Sequence, residues 1–172
     1  MHSLGYAAFV MLLSAAAQAP GAEAKVAHAR ERFEAIKARQ GSLTKVETTF
    51  DGWRSTEGNQ LLVTFDGAAV PVVTGTLFGE MGKTEVEYYY DEGKLYFALV
   101  RRGTYNHPMY LSNDVAGPLK TTWSEQRYYY DGDDLVRHLD GRKQTSLKAD
   151  EVKAVLDDAQ KVHAFALTVA RK

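Results

Sequence analysis

No cysteine occurs among the 172 residues, and that absence removes thiol nucleophiles, CxxC redox pairs, thiolate metal sites, disulfide staples and a lipobox anchor at once. Four prolines and 14 glycines are too few for a low-complexity or collagen-like chain. An excess of one charge is missing too. With 21 Lys and Arg against 22 Asp and Glu, the chain carries no electrostatic footprint for nucleic acid and no acidic tail. No GxSxG, P-loop or GxGxxG motif occurs, and His28, His107, His138 and His163 stand without HxxxH or HxH spacing. No cofactor and no metal site is therefore expected. The Asp131, Asp133 and Asp134 group around Gly132 lacks the closing Glu of an EF-hand loop and reads as turn chemistry.

Long apolar runs are also scarce. The single one, Leu4 to Ala17, is interrupted only by Gly5 and Ser14 and falls short of the ~18–20 residues of a spanning helix. Small-x-small sites follow at Ala17-Gln18-Ala19, before Pro20, and at Ala22-Glu23-Ala24, before Lys25. We read residues 1–24 as a secretory signal cleaved after Ala24, with an uncleaved N-terminal anchor as the alternative because the leading residues carry no Lys or Arg. Residues 25–172 then form one domain, periplasmic or secreted, with 21 residues of each charge sign.

What is present is patterned. Val26, Ala29, Phe33 and Ile36 recur at helical spacing between Lys25 and Gln40, and Gly41 ends the run. This first helix is basic. Arg30, Arg32 and Lys37 on it offer one route to an anionic membrane surface, although a solvated face is the plainer reading. From Ser42 the period becomes two, through Val46-x-Thr48-x-Phe50, Leu61-x-Val63-x-Phe65 and Val70 to Phe78. Asp51-Gly52 and Asp66-Gly67 each predict a tight hairpin turn. Near the C-terminus Val152, Val155, Leu156, Ala159 and Val162 restore a helical stripe, with Ser146 or Asp150 as its N-cap; from 162 to 170 a final strand remains an alternative.

The chain also echoes itself. Thr84 to Leu95 and Ser124 to Leu135 align at an offset of 40 residues, each reading strand, short turn, strand, so that units 84–100 and 124–139 form two related hairpins. Leu95 to Val100 is apolar on both faces and belongs at the centre of a sheet. The fold class that results is α+β: an N-terminal helix, an antiparallel meander of about six or seven strands, and a C-terminal helix on one sheet face. The stretch from Arg101 to Thr121 has no sustained period, and such a length of connection is usually functional.

Six of the 10 tyrosines lie in the triplets 88–90 and 128–130. If Tyr88, Tyr90, Tyr128 and Tyr130 face the core, Tyr89 and Tyr129 face the other way, near Tyr96 and Trp123. We take these four, with Tyr105, His107 and Tyr110 of the 101–121 loop, as the candidate binding residues of a non-enzymatic protein that recognises a protein, a glycan or a small apolar ligand. Mere packing of the same tyrosines is the competing account. A second function, a hydrolase, needs His107 or His138 beside Asp114, Glu85 or Glu125; Glu85, Glu87 and Glu125 could also converge on one face as an acid–base group. A third is a structural envelope protein held at the membrane by its first helix.

Overall fold

A computed structural model describes residues 20–111 and 113–170, so most of the segment read above as a secretory signal lies outside the described residues. Eight strands follow one another in strict meander order: β1 (Thr44–Thr48), β2 (Asn59–Asp66), β3 (Ala69–Gly79), β4 (Gly82–Asp91), β5 (Lys94–Tyr105), β6 (Thr121–Asp131), β7 (Asp134–Asp140) and β8 (Lys143–Thr145). Helix α1 (Pro20–Arg39) precedes the sheet, a short α2 (Asn113–Ala116) interrupts the β5–β6 connection, and α3 (Ala149–Thr168) closes the chain. The architecture is the expected α+β meander, with one strand more than the upper expectation. Lys143-Gln144-Thr145 carries no apolar alternation to announce β8, which the positive φ of Gly141 turns back onto β7.

Because side chains alternate along a strand, the two faces build two cores. Tyr88, Tyr90, Leu95, Ala98, Tyr128 and Tyr130 join Ala159, Val162 and Ala166 of α3 on one side. Val72, Tyr89, Tyr96, Phe97 and Tyr129 join Val26, Ala29 and Ile36 of α1 on the other. β5 is central and buried on both sides, as its two-sided apolar pattern requires. The related hairpins match in detail, since a register shift falls between Tyr89 and Tyr90 in one and between Tyr129 and Tyr130 in the other. Their turns differ. Glu92 and Gly93 are both at positive φ, the type I′ pattern, whereas at the second turn Gly132 alone is.

Helix α1 has a narrow apolar stripe, and its position is set by charge as well. Lys25 pairs with Asp131 at 2.6 Å, Arg32 with Asp91 at 3.1 Å, and Arg39 with Asp66. These aspartates are the last residues of β6, β4 and β2, each following an aromatic side chain and opening a hairpin turn. The cations are seven residues apart, about 10.5 Å along a helix. Alternate strands are about 9.6 Å apart, so helix and sheet repeat nearly together. Each pair is roughly half exposed and contributes little stability; what the ladder fixes is where the helix crosses the sheet.

Two local expectations are corrected. Asp51-Gly52 does not make a hairpin: the β1–β2 connection runs from 49 to 58, and Gly52 is needed because a Cβ there would lie 2.3 Å from the folded-back Phe50 ring. Asn59 clasps this loop, accepting from the Phe50 N–H and donating to its carbonyl. The helix α3 starts without Ser146 or Asp150 as cap; Glu151 instead accepts from the Lys148 N–H at 2.8 Å. Residues 162–168 continue α3, in keeping with the helical reading of this stretch and not with the alternative strand.

Candidate functional site

The seven candidate binding residues separate into two groups. Tyr89, Tyr96 and Tyr129 are 0%, 7% and 6% exposed and pack beneath α1, with Phe33 edge-on to Tyr89 at 5.0 Å. Arg30 lies over the Tyr129 ring and Arg32 over the Tyr96 ring. These three aromatic faces are therefore already covered from within the chain. Burial raises the Tyr89 hydroxyl well above its ordinary value, helped by its bond to Glu87, and pushes Tyr96 up to about 12. Tyr105, His107, Tyr110 and Trp123 lie together at the opposite end of the sheet, in or beside the β5–β6 connection.

That connection is shorter than its sequence suggests. β5 continues through Arg101 to Tyr105, paired residue by residue with β6, which leaves residues 106–120 as a compact loop. Arginines and a glycine hide the strand period there. Asn106 and His107 pin the loop at its neck. The Asn106 N–H donates to the Lys120 carbonyl at 3.1 Å, and the Asn106 side-chain oxygen accepts from the Lys120 N–H at 2.7 Å. His107, 9% exposed, sets Nδ1 3.0 Å from the Pro108 carbonyl and Nε2 3.1 Å from the Gly117 carbonyl. Its role in the fold is to tie the two limbs of the loop, in the manner of an Ω-loop. The β3–β4 turn is stitched alongside, since the Tyr105 N–H donates to the Met81 carbonyl and the Met109 N–H to the Glu80 carbonyl.

What this hydrogen-bonded end displays is apolar. Of the seven exposed large hydrophobic side chains among the described residues, six are Met81, Met109, Tyr110, Val115, Leu119 and Trp123. Tyr110 is 70% and Val115 76% exposed. Trp123 rests against Gly103, whose missing Cβ would come within 3.1 Å of the indole, while the Lys83 ammonium stands 5.2 Å from the ring centre. Charges of both signs adjoin these residues along the chain, Glu80 beside Met81, Asp114 beside Val115 and Lys120 beside Leu119, with Lys83 at the Trp123 ring. Sequence reasoning missed Met81, Met109, Val115 and Leu119, because single apolar residues in turns have no period; their signal is that they are apolar where a turn would ordinarily be polar.

The other candidate chemistries are placed as follows. Glu85, Glu87 and Glu125 do share the sheet face that carries α1, but each is held by a cation. Lys83 and Arg101 meet Glu85 at 2.8 and 3.1 Å, Lys37 and Arg101 meet Glu87 at 3.2 and 3.4 Å, and Arg127 meets Glu125. His138 is 2% exposed, with Nδ1 2.6 Å from the Thr145 hydroxyl and its ring on Tyr128; burial holds it below the usual imidazole range. Neither His107 nor His138 is hydrogen-bonded to Asp114, Glu85 or Glu125. On α1, Arg32 and Lys37 are engaged by Asp91 and Glu87, and Arg30 by Tyr129. Among the described residues no group of three or more His, Asp or Glu is placed to hold a metal ion, and no helix is long and apolar enough to cross a membrane. No family model, curated protein or solved structure matches this chain.

Proposed function

We propose that this chain is an exported, non-enzymatic binding protein that grips a protein partner with the pinned 106–120 loop, Met81 and Trp123. The observation that carries the reading is the gathering of six of seven exposed large apolar side chains at one end of the sheet. Met, Tyr and Trp are the residue types that protein interfaces concentrate, and a surround of both charge signs suits a protein rim better than an anionic bilayer. A small apolar ligand would want a concavity, whereas these side chains project. The two-limbed clamp by Asn106 and His107 lowers the ordering cost of association.

The test is a photo-crosslinking residue at Val115, carried in the native host, with a control at the exposed Glu34 on α1. A single discrete adduct from position 115 and none from 34 is expected. The adduct partner, once identified and purified, should bind the wild-type protein at least tenfold more tightly than Tyr110→Ser or Trp123→Ser variants that keep the wild-type melting temperature. Equal adducts from both positions, or variants that bind as well as wild type, would sink the proposal.

Export has its own readout. The extracytoplasmic fraction is expected to hold a chain beginning at Lys25, whose side chain forms the first pair of the α1 ladder. An intact mass retaining residues 1–24 would overturn the cleavage reading.

A further inference from the structure

A cavity of about 680 Å³ lies at the end of the sheet away from the 106–120 loop, where the β2–β3 and β4–β5 turns meet both long helices. Its floor is apolar: Ile36 of α1, Val70 and Pro71 of β3, and Leu167 of α3, which is 52% exposed at the rim. Tyr90 and His163 form one wall, their rings 4.4 Å apart. The rim holds two arginines and three carboxylates. Arg32 is paired with Asp91 and Arg39 with Asp66, which leaves Glu92 as the surplus charge, and it makes no hydrogen bond or ion pair with any described residue.

From this geometry we infer that the cavity is a binding site for a small amphiphilic cation, an apolar body with an ammonium head, its body on the Ile36, Val70, Pro71 and Leu167 floor and its head between Glu92 and His163. The volume lies within the range of small-molecule sites, and a cavity of this size has room for a chain of eight carbons. The His163 ring makes no hydrogen bond with any described residue, and burial keeps its imidazole below the usual range, so at neutral pH the ring offers one unprotonated nitrogen as acceptor for an ammonium N–H. An anionic head would instead meet an uncompensated carboxylate while both guanidinium groups already serve aspartates. This site shares no residue with the protein-binding end, and the two readings stand or fall separately.

Octylammonium, octanoate and octanol, titrated at neutral pH into protein with labelled methyl groups, test the inference. Octylammonium is expected to give saturable shifts at Ile36, Val70 and Leu167 and none at Met109 or Leu119. Octanoate and octanol should bind at least tenfold more weakly, and Glu92→Gln should weaken octylammonium about tenfold without altering octanol. Trp123→Ser should leave all three titrations unchanged. Equal binding of octanoate, an effect of Glu92→Gln on all three ligands alike, or shifts confined to Met109 and Leu119 would each overturn the assignment.

Discussion

Raising the pH from 9 to 11 is expected to unfold this protein in one steep step. Burial pushes the hydroxyls of Tyr88, Tyr89, Tyr90 and Tyr130 well above the ordinary phenol range, and that of Tyr96 up to about 12. Nearby carboxylates add to this, Asp158 at Tyr88 and Glu87 at Tyr89. In the unfolded chain the same groups lose their protons near pH 10. Above that pH the native state holds more protons than the unfolded state, so stability falls as pH rises; below about pH 9 the contribution is fully present. Each tyrosine removes on the order of 1 kcal/mol by pH 11, and the five together several kcal/mol, comparable to the ~5–15 kcal/mol that holds an ordinary domain. Tyrosinate absorbance and far-ultraviolet dichroism, followed on one sample, should change together. Smooth ionisation of these tyrosines with the dichroism intact would refute the account.

Substituting Gly75 by alanine is expected to cost about 3 kcal/mol, an unusual amount for one methyl group. Gly75 sits in the middle of β3, and a Cβ there would lie 2.3 Å from Cη2 and Cζ3 of Trp53. The indole cannot simply swing away. It is 8% exposed, edge-on to Phe50 at 5.5 Å, and its N–H donates to the Asp158 carboxylate of α3 at 2.9 Å, where the Tyr88 hydroxyl also donates at 2.6 Å. Displacing it strains the core and leaves a carboxylate with one donor fewer. Trp53→Ala alone should cost about 3–5 kcal/mol. In that background Gly75→Ala should be close to neutral, since its obstacle is gone, and chemical denaturation of the four proteins measures the coupling directly. Additive costs would show that Gly75 serves something other than the indole.

Much of this arrangement could be read from the residues. The period of two gave away the meander, the two-sided apolar run of Leu95 to Val100 placed β5 at the centre, and the 40-residue echo marked hairpins that share even their bulge. Opposite facing of Tyr88 and Tyr89 followed from strand alternation alone. Which face would be covered did not, because the stripe on α1 is narrow and its charges look like ordinary solvated ones. The covering is decided by a pairing between distant parts of the chain: cations at 25, 32 and 39, aspartates at 66, 91 and 131. The same limit applies to the exposed end. Tyr110 and Trp123 stood out by residue type, while Met81, Met109, Val115 and Leu119 become a patch only when the loop and the β3–β4 turn are brought side by side.

The near-match between seven helical residues and two strand widths constrains how such a domain can lengthen. A hairpin inserted between β4 and β6 would carry Asp131 about 9.6 Å further from Asp91, beyond the reach of Lys25, unless α1 gained about seven residues between Lys25 and Arg32 as well. An insertion of two residues between Lys25 and Arg32 would rotate Lys25 by about 200°, to the opposite side of the helix and away from Asp131. Growth of this sheet and growth of its first helix are thus tied to one another, in units of a hairpin and a heptad.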